Sequence, residues 1–351
     1  VHEWSVVSDP TGHHDKAWWW DTNLGQATMG LPTAMAERDR QTNPWRTVVY
    51  RTFAWSLTGN GNPFIGTLAE VLDPGQPYGK DRRVTQLINN DGNLKERVEY
   101  PDGTSSLELR KYSYTYVAEG AGSADPYRAR HLRNLVSTVT LSRPQNGSQT
   151  AQSILLVQNY YDQYGIAICD TQSVGSLAAM PNATQHDIAG YPASMPYRGN
   201  LTRVANPQGQ RCMSYNIGGV ALATWDGYGH SSSATADPLR NYAVPSAITT
   251  GSYSNTLTWD GTLNLTQNVG PNGATATFGW DSLRREVSRT LPNGAVINHE
   301  YGIGQGAGAS WHKVTTGLSP NFRWTKTVFD GFGRTREVIS GYKVGSTETA
   351  E

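Results

Sequence analysis

The sequence predicts an all-β fold of stacked β-hairpins, and three observations predict it. Aromatic-Asp pairs and Pro-Asn-Gly turns recur at a fixed step of 21 residues between positions 259 and 294. Segments between them alternate in the period-2 manner of half-buried strands. The composition is that of strands and turns: 37 Gly, 18 Tyr and 11 Trp in 351 residues, with only 17% charged, against about 25% in an average domain. Glycine serves turns, and aromatic residues pack well on a pleated surface.

The repeat emerges from position. Trp259-Asp260 and Trp280-Asp281 are 21 apart, with Tyr301-Gly302 the next in line. Pro271-Asn272-Gly273 and Pro292-Asn293-Gly294 are also 21 apart, each proline preceding the next aromatic by nine. Pro320-Asn321 lies nine before Phe329-Asp330, so the half-repeat continues although Tyr301 to Phe329 spans 28 residues; the small-residue run GIGQGAGAS (302–310) reads as a lengthened loop. Upstream, Tyr161-Asp162 and Trp225-Asp226 are 64 apart, one more than three periods. A fixed period near 20 residues points to a stacked, quasi-one-dimensional architecture.

Each repeat reads as one hairpin. In Pro-Asn-Gly the proline presets φ and the glycine takes the left-handed position that closes the turn. At the other end Asp226-Gly-Tyr-Gly229 and Asp330-Gly-Phe-Gly333 reverse the chain again, the carboxylate accepting backbone N–H groups. Ala274–Phe278 and Glu286–Thr290 are the alternating strands between. Equivalent aromatics should then form a stripe, one per hairpin, about 9 to 10 Å apart.

Phe329-Asp-Gly-Phe-Gly333-Arg334-Thr-Arg-Glu-Val338 resembles the Tyr-Asp-x-x-Gly-Arg core of YD repeats, found in Rhs proteins, toxin-complex shells and teneurins. Trp280-Asp281-Ser282-Leu283-Arg284-Arg285 resembles the same motif with Arg284 at the Gly position. The departures are Trp or Phe for Tyr, Tyr301 without its Asp, and Asn90-Asp91-Gly92-Asn93-Leu94, which reads as the turn alone. The resemblance implies a β-sheet that spirals into a shell or solenoid, a scaffold without turnover chemistry, extracellular or on the cell surface, enclosing a toxin domain or standing as a rigid spacer. Residues 65–351 are assigned to this YD-repeat region. Residues 1–64 stand apart as a Trp-rich N-terminal cap or degenerate repeats, and Trp18, Trp19 and Trp20, followed by Trp45 and Trp55, are either buried indoles or an aromatic platform for a glycan.

Composition narrows the partners. Lys+Arg and Asp+Glu are both 29, so neither nucleic acid nor an acidic membrane is implied. The longest aliphatic run, Ile154-Leu155-Leu156-Val157, falls far short of the roughly 18 residues of a membrane span. Beginning on Val1, the chain reads as a processed product or a segment of a longer one. Cys169 and Cys212 either pair or stay as buried thiols.

No P-loop, Gly-x-Ser-x-Gly, His-Glu-x-x-His or dinucleotide fingerprint occurs. Asp162, Asp226, Asp260, Asp281 and Asp330 resemble catalytic carboxylates singly, but one repeat phase explains all five as turn caps; Arg285, Gly333 and Arg334 share that structural reading. His13-His14-Asp15 is the one tight group of metal-ligand types, and neighbouring strand residues point to opposite faces, so no metal and no cofactor is expected. Asp9-Pro10-Thr11-Gly12 has the letters of the self-cleaving segment of some Rhs shells, at the wrong end of the chain. Asn146-Gly-Ser148, Asn182-Ala-Thr184, Asn200-Leu-Thr202 and Asn264-Leu-Thr266 fit the glycosylation sequon, which a bacterial origin would make irrelevant. The expected function is a non-enzymatic wall or spacer whose partners are further segments of the same chain or an enclosed toxin. The alternatives are a filament subunit whose identical copies stack end to end by strand addition, and a glycan-binding adhesin.

Overall fold

The computed structural model describes residues 3–41, 46–77, 79–143, 150–169, 172–184, 186–303 and 310–351. Trp45, the Asn146 sequon and most of the GIGQGAGAS stretch lie outside these residues. The chain is all-β, and its contacts divide it into two compact units: unit 1 comprises residues 1–163 and 197–210, unit 2 residues 164–196 and 211–351.

Strands follow one another in hairpin order. They are β1 (Trp4–Ser8), β2 (His14–Trp20), β3 (Pro32–Asp39), β4 (Arg46–Leu57), β5 (Pro63–Leu72), β6 (Lys80–Ile88), β7 (Leu94–Tyr100), β8 (Arg110–Tyr116), β9 (Val136–Arg143) and β10 (Gln152–Tyr161). A short pair, β11 (Ile166–Cys169) and β12 (Gln172–Val174), precedes β13 (Leu201–Asn206), β14 (Gly209–Tyr215), β15 (Ala221–Asp226), β16 (Ser231–Ala236), β17 (Pro245–Thr250) and β18 (Tyr253–Trp259). The series ends with β19 (Leu265–Val269), β20 (Thr275–Trp280), β21 (Glu286–Thr290), β22 (Val296–Ile303), β23 (Ser310–Leu318), β24 (Asn321–Phe329), β25 (Thr335–Val344) and β26 (Thr347–Ala350).

In unit 1, β1 to β10 pair antiparallel with their chain neighbours, and β10 pairs with β13. In unit 2 the same antiparallel order runs from β14 to β26, with β11–β12 as a separate ladder. Such local pairing is what hairpin turns at both ends of each strand dictate.

Most strand residues are only half-buried, so cross-strand contacts carry much of the stability. Unit 1 shows this as a ladder of alternating sign: Lys16 to Glu37 (3.5 Å), Glu37 to Arg51 (3.0 Å), Arg51 to Glu70 (2.5 Å) and Glu70 to Arg82 (2.9 Å) run across β2 to β6. Unit 2 has two small cores. Cys169 and Cys212 form a disulfide with Cα atoms 6.1 Å apart, buried with Val174 under Tyr164 and Trp225. Leu177, Met180 and Ile217 form the second, with Tyr164, Tyr215 and Tyr242 against it.

Candidate functional site

The sequence concentrates its chemistry in the aromatic-Asp turns, and one geometry accounts for them. With the Asp as residue i, its N–H donates to the carbonyl of i+4 and the N–H of i+3 donates back to the carbonyl of i. This holds at Asp226 (3.1 and 3.3 Å), Asp260 (2.9 and 3.2 Å), Asp281 (3.0 and 3.0 Å) and Asp330 (2.8 and 3.0 Å). In each, Oδ1 accepts from the N–H groups of i+2 and i+4 at 2.8 to 3.0 Å. Backbone donors therefore occupy Oδ1, and Oδ2 meets a side chain from i+4: His230, Asn264, Arg285 or Arg334. Residue i+3 is left-handed: Gly229 (φ 84°), Leu263 (67°), Arg284 (60°) and Gly333 (77°).

These bonds hold the carboxyls below the usual Asp range. The N–H of Asn264 is the first cause at Asp260, which is lowered to about 2. Backbone bonds from Arg285 and Arg334 lead at Asp281 and Asp330, and the His230 side chain leads at Asp226. Arg285 and Arg334 add an i,i+4 ion pair to Asp281 and Asp330, both at 2.7 Å.

The same turn occurs where the letters differ. Asn89 and Asn216 accept through Oδ1 from i+2 and i+4, all at 3.0 Å, with Gly92 and Gly219 left-handed. At Thr58, Oγ1 takes the Asn62 N–H at 3.1 Å with Gly61 left-handed. The stretch Asn90–Leu94 is thus part of a complete turn whose cap is Asn89. Within 1–64, Trp20-Asp21 opens a longer version: the Asp21 N–H reaches the carbonyl of Leu31 and Gly30 donates back to Asp21, both at 2.8 Å.

Longer loops enter the same position elsewhere. Asp162 N–H donates to the carbonyl of Asn200, and its carboxylate takes the N–H groups of Arg198, Gly199 and Asn200 at 2.8 to 2.9 Å. Gly199 is left-handed, so residues 198 to 200 complete the turn that an uninterrupted repeat completes with i+2 to i+4. Val117 closes likewise onto Leu135 at 3.0 Å, and Asp237 onto Val244 at 2.8 Å.

Phase separates one pair from the others. In unit 2, Asn216, Asp237, Asp260, Asp281 and Asp330 close hairpins β14–β15, β16–β17, β18–β19, β20–β21 and β24–β25, whereas Trp225-Asp226 joins β15 to β16 at the opposite strand ends. Tyr215-Asn216 is the pair in phase, 21 residues before Ala236-Asp237. An Asp, Asn or Thr with Gly three residues later finds the turns at Thr58, Asn89, Asn216, Asp226 and Asp330, whereas those at Asp260 and Asp281 place Leu263 and Arg284 there.

The residue just before the turn, usually aromatic, has a second constant. The register slips by one residue beside Trp20, Trp55, Ile88, Tyr116, Tyr161, Tyr215, Ala236, Trp259, Trp280 and Phe329. A bulge re-aims the side chain it carries. Six polar tips reach the first residue of the preceding strand, five beside a bulge and Tyr301 without one, whereas Tyr215 OH donates to Met213 Sδ. In unit 1, Trp55 Nε1 donates to the carbonyl of Pro32 (2.7 Å), Tyr116 OH to Leu94 (2.7 Å) and Tyr161 OH to Val136 (3.1 Å). In unit 2, Trp259 Nε1 donates to Pro245 (2.6 Å), Trp280 Nε1 to Leu265 (2.7 Å) and Tyr301 OH to Glu286 (3.1 Å). Each of these six carbonyls follows directly on the previous turn, so each of the six aromatics staples its hairpin to the one before. Burial pushes the phenols of Tyr116 and Tyr161 up, favouring the protonated donor.

The remaining candidates are dispersed. Trp18 and Trp20 share one face of β2, centroids 6.2 Å apart, while Trp19 lies on the other, edge-on to Tyr50 at 6.2 Å; all three are half-buried. Trp20 Nε1 also bonds Ser5 Oγ at 3.1 Å. Asp15 is buried and held by Arg38 at 2.6 Å, away from any ligand role with His13 and His14, whose N–H groups cap onto Asp9. Asp9-Pro10-Thr11-Gly12 is the β1–β2 turn, with Gly12 left-handed. Among the described residues, no group of three or more His, Cys, Asp or Glu is placed to hold a metal ion.

No described protein family and no curated protein matches the chain. Solved structures of TcdB2-TccC3 are similar, with and without the hypervariable C-terminal region. Each aligns at TM-score 0.28 and 10% identity over 97% of this chain, and over 22% and 21% of theirs. The Tc holotoxin pore of Photorhabdus luminescens aligns at TM-score 0.24 and 10% identity, over 97% of this chain and 21% of that one. The chain spans about a fifth of the length of the solved chains it is similar to.

Proposed function

We propose that the chain is a non-enzymatic wall segment of a large secreted or cell-surface protein, its stapled hairpins enclosing a cavity that holds a toxin or other cargo. One observation carries this reading: the residues that recur are used up in building the sheet. In the regular turns backbone donors take Oδ1 and an i+4 side chain meets Oδ2, and six aromatic tips are spent on carbonyls of the neighbouring hairpin. A general acid or base needs a free proton position facing a substrate, and these groups have none. The likeness of Phe329–Val338 to the YD core supports the same reading. The partners are then further segments of the same chain and the enclosed domain.

Protease protection in the full parent protein tests it. An enclosed segment should survive trypsin under native conditions and be digested once denaturant opens the wall. Digestion at equal rates in both conditions refutes enclosure. A catalytic activity lost in Asp281→Asn at unchanged thermal stability refutes the non-enzymatic role.

A further inference from the structure

The aromatic staples leave one polar cluster in unit 2 unexplained, between β22 and β23. His299 Nδ1 and His312 Nε2 are 2.9 Å apart, with ring planes within 8° and centroids 5.2 Å apart. That centroid distance is the hydrogen bond plus the two centre-to-nitrogen radii, so the rings meet head-on in a common plane, the N–H of one aimed at the lone pair of the other. Such a bond requires that at least one ring keep an unprotonated nitrogen.

We propose that His299 and His312 form a proton-operated latch between β22 and β23, closed while the two rings share a hydrogen bond and released when both are protonated. A first added proton keeps an N–H⁺···N bond, which charge strengthens. A second removes the last lone pair and sets two cations edge to edge.

One carboxylate faces the pair, on the His299 side, and it is already shared. Glu286 Oε1 on β21 is 3.8 Å from His299 Nε2, and both Glu286 oxygens are already engaged by Arg289 at 2.9 Å. The Tyr301 ring lies on His312, centroids 4.7 Å apart and parallel within 4°, with the Arg285 guanidinium 4.3 Å over its centre. On β24, His312 faces Thr327, with Arg323 four residues further along that strand. Glu300 and Lys313, next to the pair in sequence, alternate to the opposite face.

Burial, and then His299, lower the His312 pKa. A histidine lowered in the fold contributes stability that is complete above its unfolded pKa, about 6.5, and is lost as pH falls below that value towards the folded one. The latch therefore releases on mild acidification, well above the window of the turn carboxylates.

Amide hydrogen exchange of β22 and β23, corrected for intrinsic rates, tests the latch between pH 7 and pH 5. Exchange should accelerate by about tenfold for each unit by which the second protonation is depressed, while β18 and β19 stay unchanged. In His312→Gln, which keeps a hydrogen-bonding group but does not titrate, the acceleration should vanish. Equal acceleration in wild type and variant overturns the proposal. Imidazole ¹⁵N shifts of the unmodified protein decide it even if the variant does not fold. Two separated protonation steps support the latch, and two coincident, independent steps refute it.

Discussion

Arg284 stands where the turn asks for glycine, and replacing it should stabilise the protein. It is residue i+3 of the Asp281 turn at φ 60°, the place held by Gly229 and Gly333 at 84° and 77°. A left-handed backbone costs a residue with a Cβ roughly 1–2 kcal/mol, while glycine brings back about 0.5–1 kcal/mol of extra chain entropy. The balance predicts that Arg284→Gly gains about 0.5–1 kcal/mol. The side chain is exposed, so little packing is lost. The converse is Gly333→Ala: a Cβ there meets no heavy atom within 4 Å, so only backbone strain acts, and the loss should be about 1 kcal/mol. Urea unfolding followed by tryptophan fluorescence reads both as midpoint shifts at constant slope. A lower midpoint for Arg284→Gly, or none of the expected loss for Gly333→Ala, would show that the turn does not store strain at this position.

Three further outcomes follow from the same contacts. Asp162→Ala should destabilise by about 2–3 kcal/mol, because three backbone donors of an interrupted turn lose their acceptor together; urea unfolding measures it, and a loss below about 0.5 kcal/mol would count against the cap. Reducing the Cys169–Cys212 disulfide, which closes a separation of 43 residues, should cost unit 2 about 2–4 kcal/mol, seen as earlier unfolding in dithiothreitol and reproduced by Cys212→Ser. Lowered turn carboxyls contribute stability that is present above the unfolded Asp pKa, about 3.9, and lost as pH falls to about 2, the value at Asp260. Thermal unfolding should therefore show a constant contribution from these turns between about pH 7 and 4 and a progressive loss below about pH 4; a loss complete by about pH 5 would exclude them as the cause.

Much of this was legible in the sequence because a turn is a local object. Trp259-Asp260 and Trp280-Asp281 keep the 21-residue step, since their loops carry no insertion and the residues that close each turn are adjacent in the chain. At Asp162 the closing residues stand 36 to 38 positions away, which hides an intact turn behind a broken period. Asn89, Asn216 and Thr58 were missed for a chemical reason: an amide or hydroxyl oxygen accepts the same N–H bonds as a carboxylate, so the property repeats while the letter does not. Trp225-Asp226 shows the opposite error, the right letters making the same turn at the other ends of the strands. The staples were not legible, because the acceptor is a backbone carbonyl whose place depends on register and on the bulge beside the aromatic. His299 and His312 meet only through the β22–β23 register, which no local pattern reports.

The staples imply that neighbouring repeats are energetically coupled while distant ones are not. Trp280 Nε1 donates to Leu265, the first residue after the Asp260 turn. Trp280→Phe leaves that carbonyl without its donor and should cost about 1–2 kcal/mol. Asp260→Ala frees the backbone of the turn that positions the same carbonyl, so in that background the indole has a less defined acceptor, and losing it should cost less. The double variant should then be more stable than the two single losses predict, by more than the roughly 0.3–0.5 kcal/mol within which independent sites add. Combining Trp280→Phe with Asp330→Ala should be additive, because the Asp330 turn supplies no acceptor to Trp280. Additivity in both pairs would mean that the hairpins are stapled only in geometry. Coupling confined to Asp260 would mean that each aromatic reads the state of the turn before it.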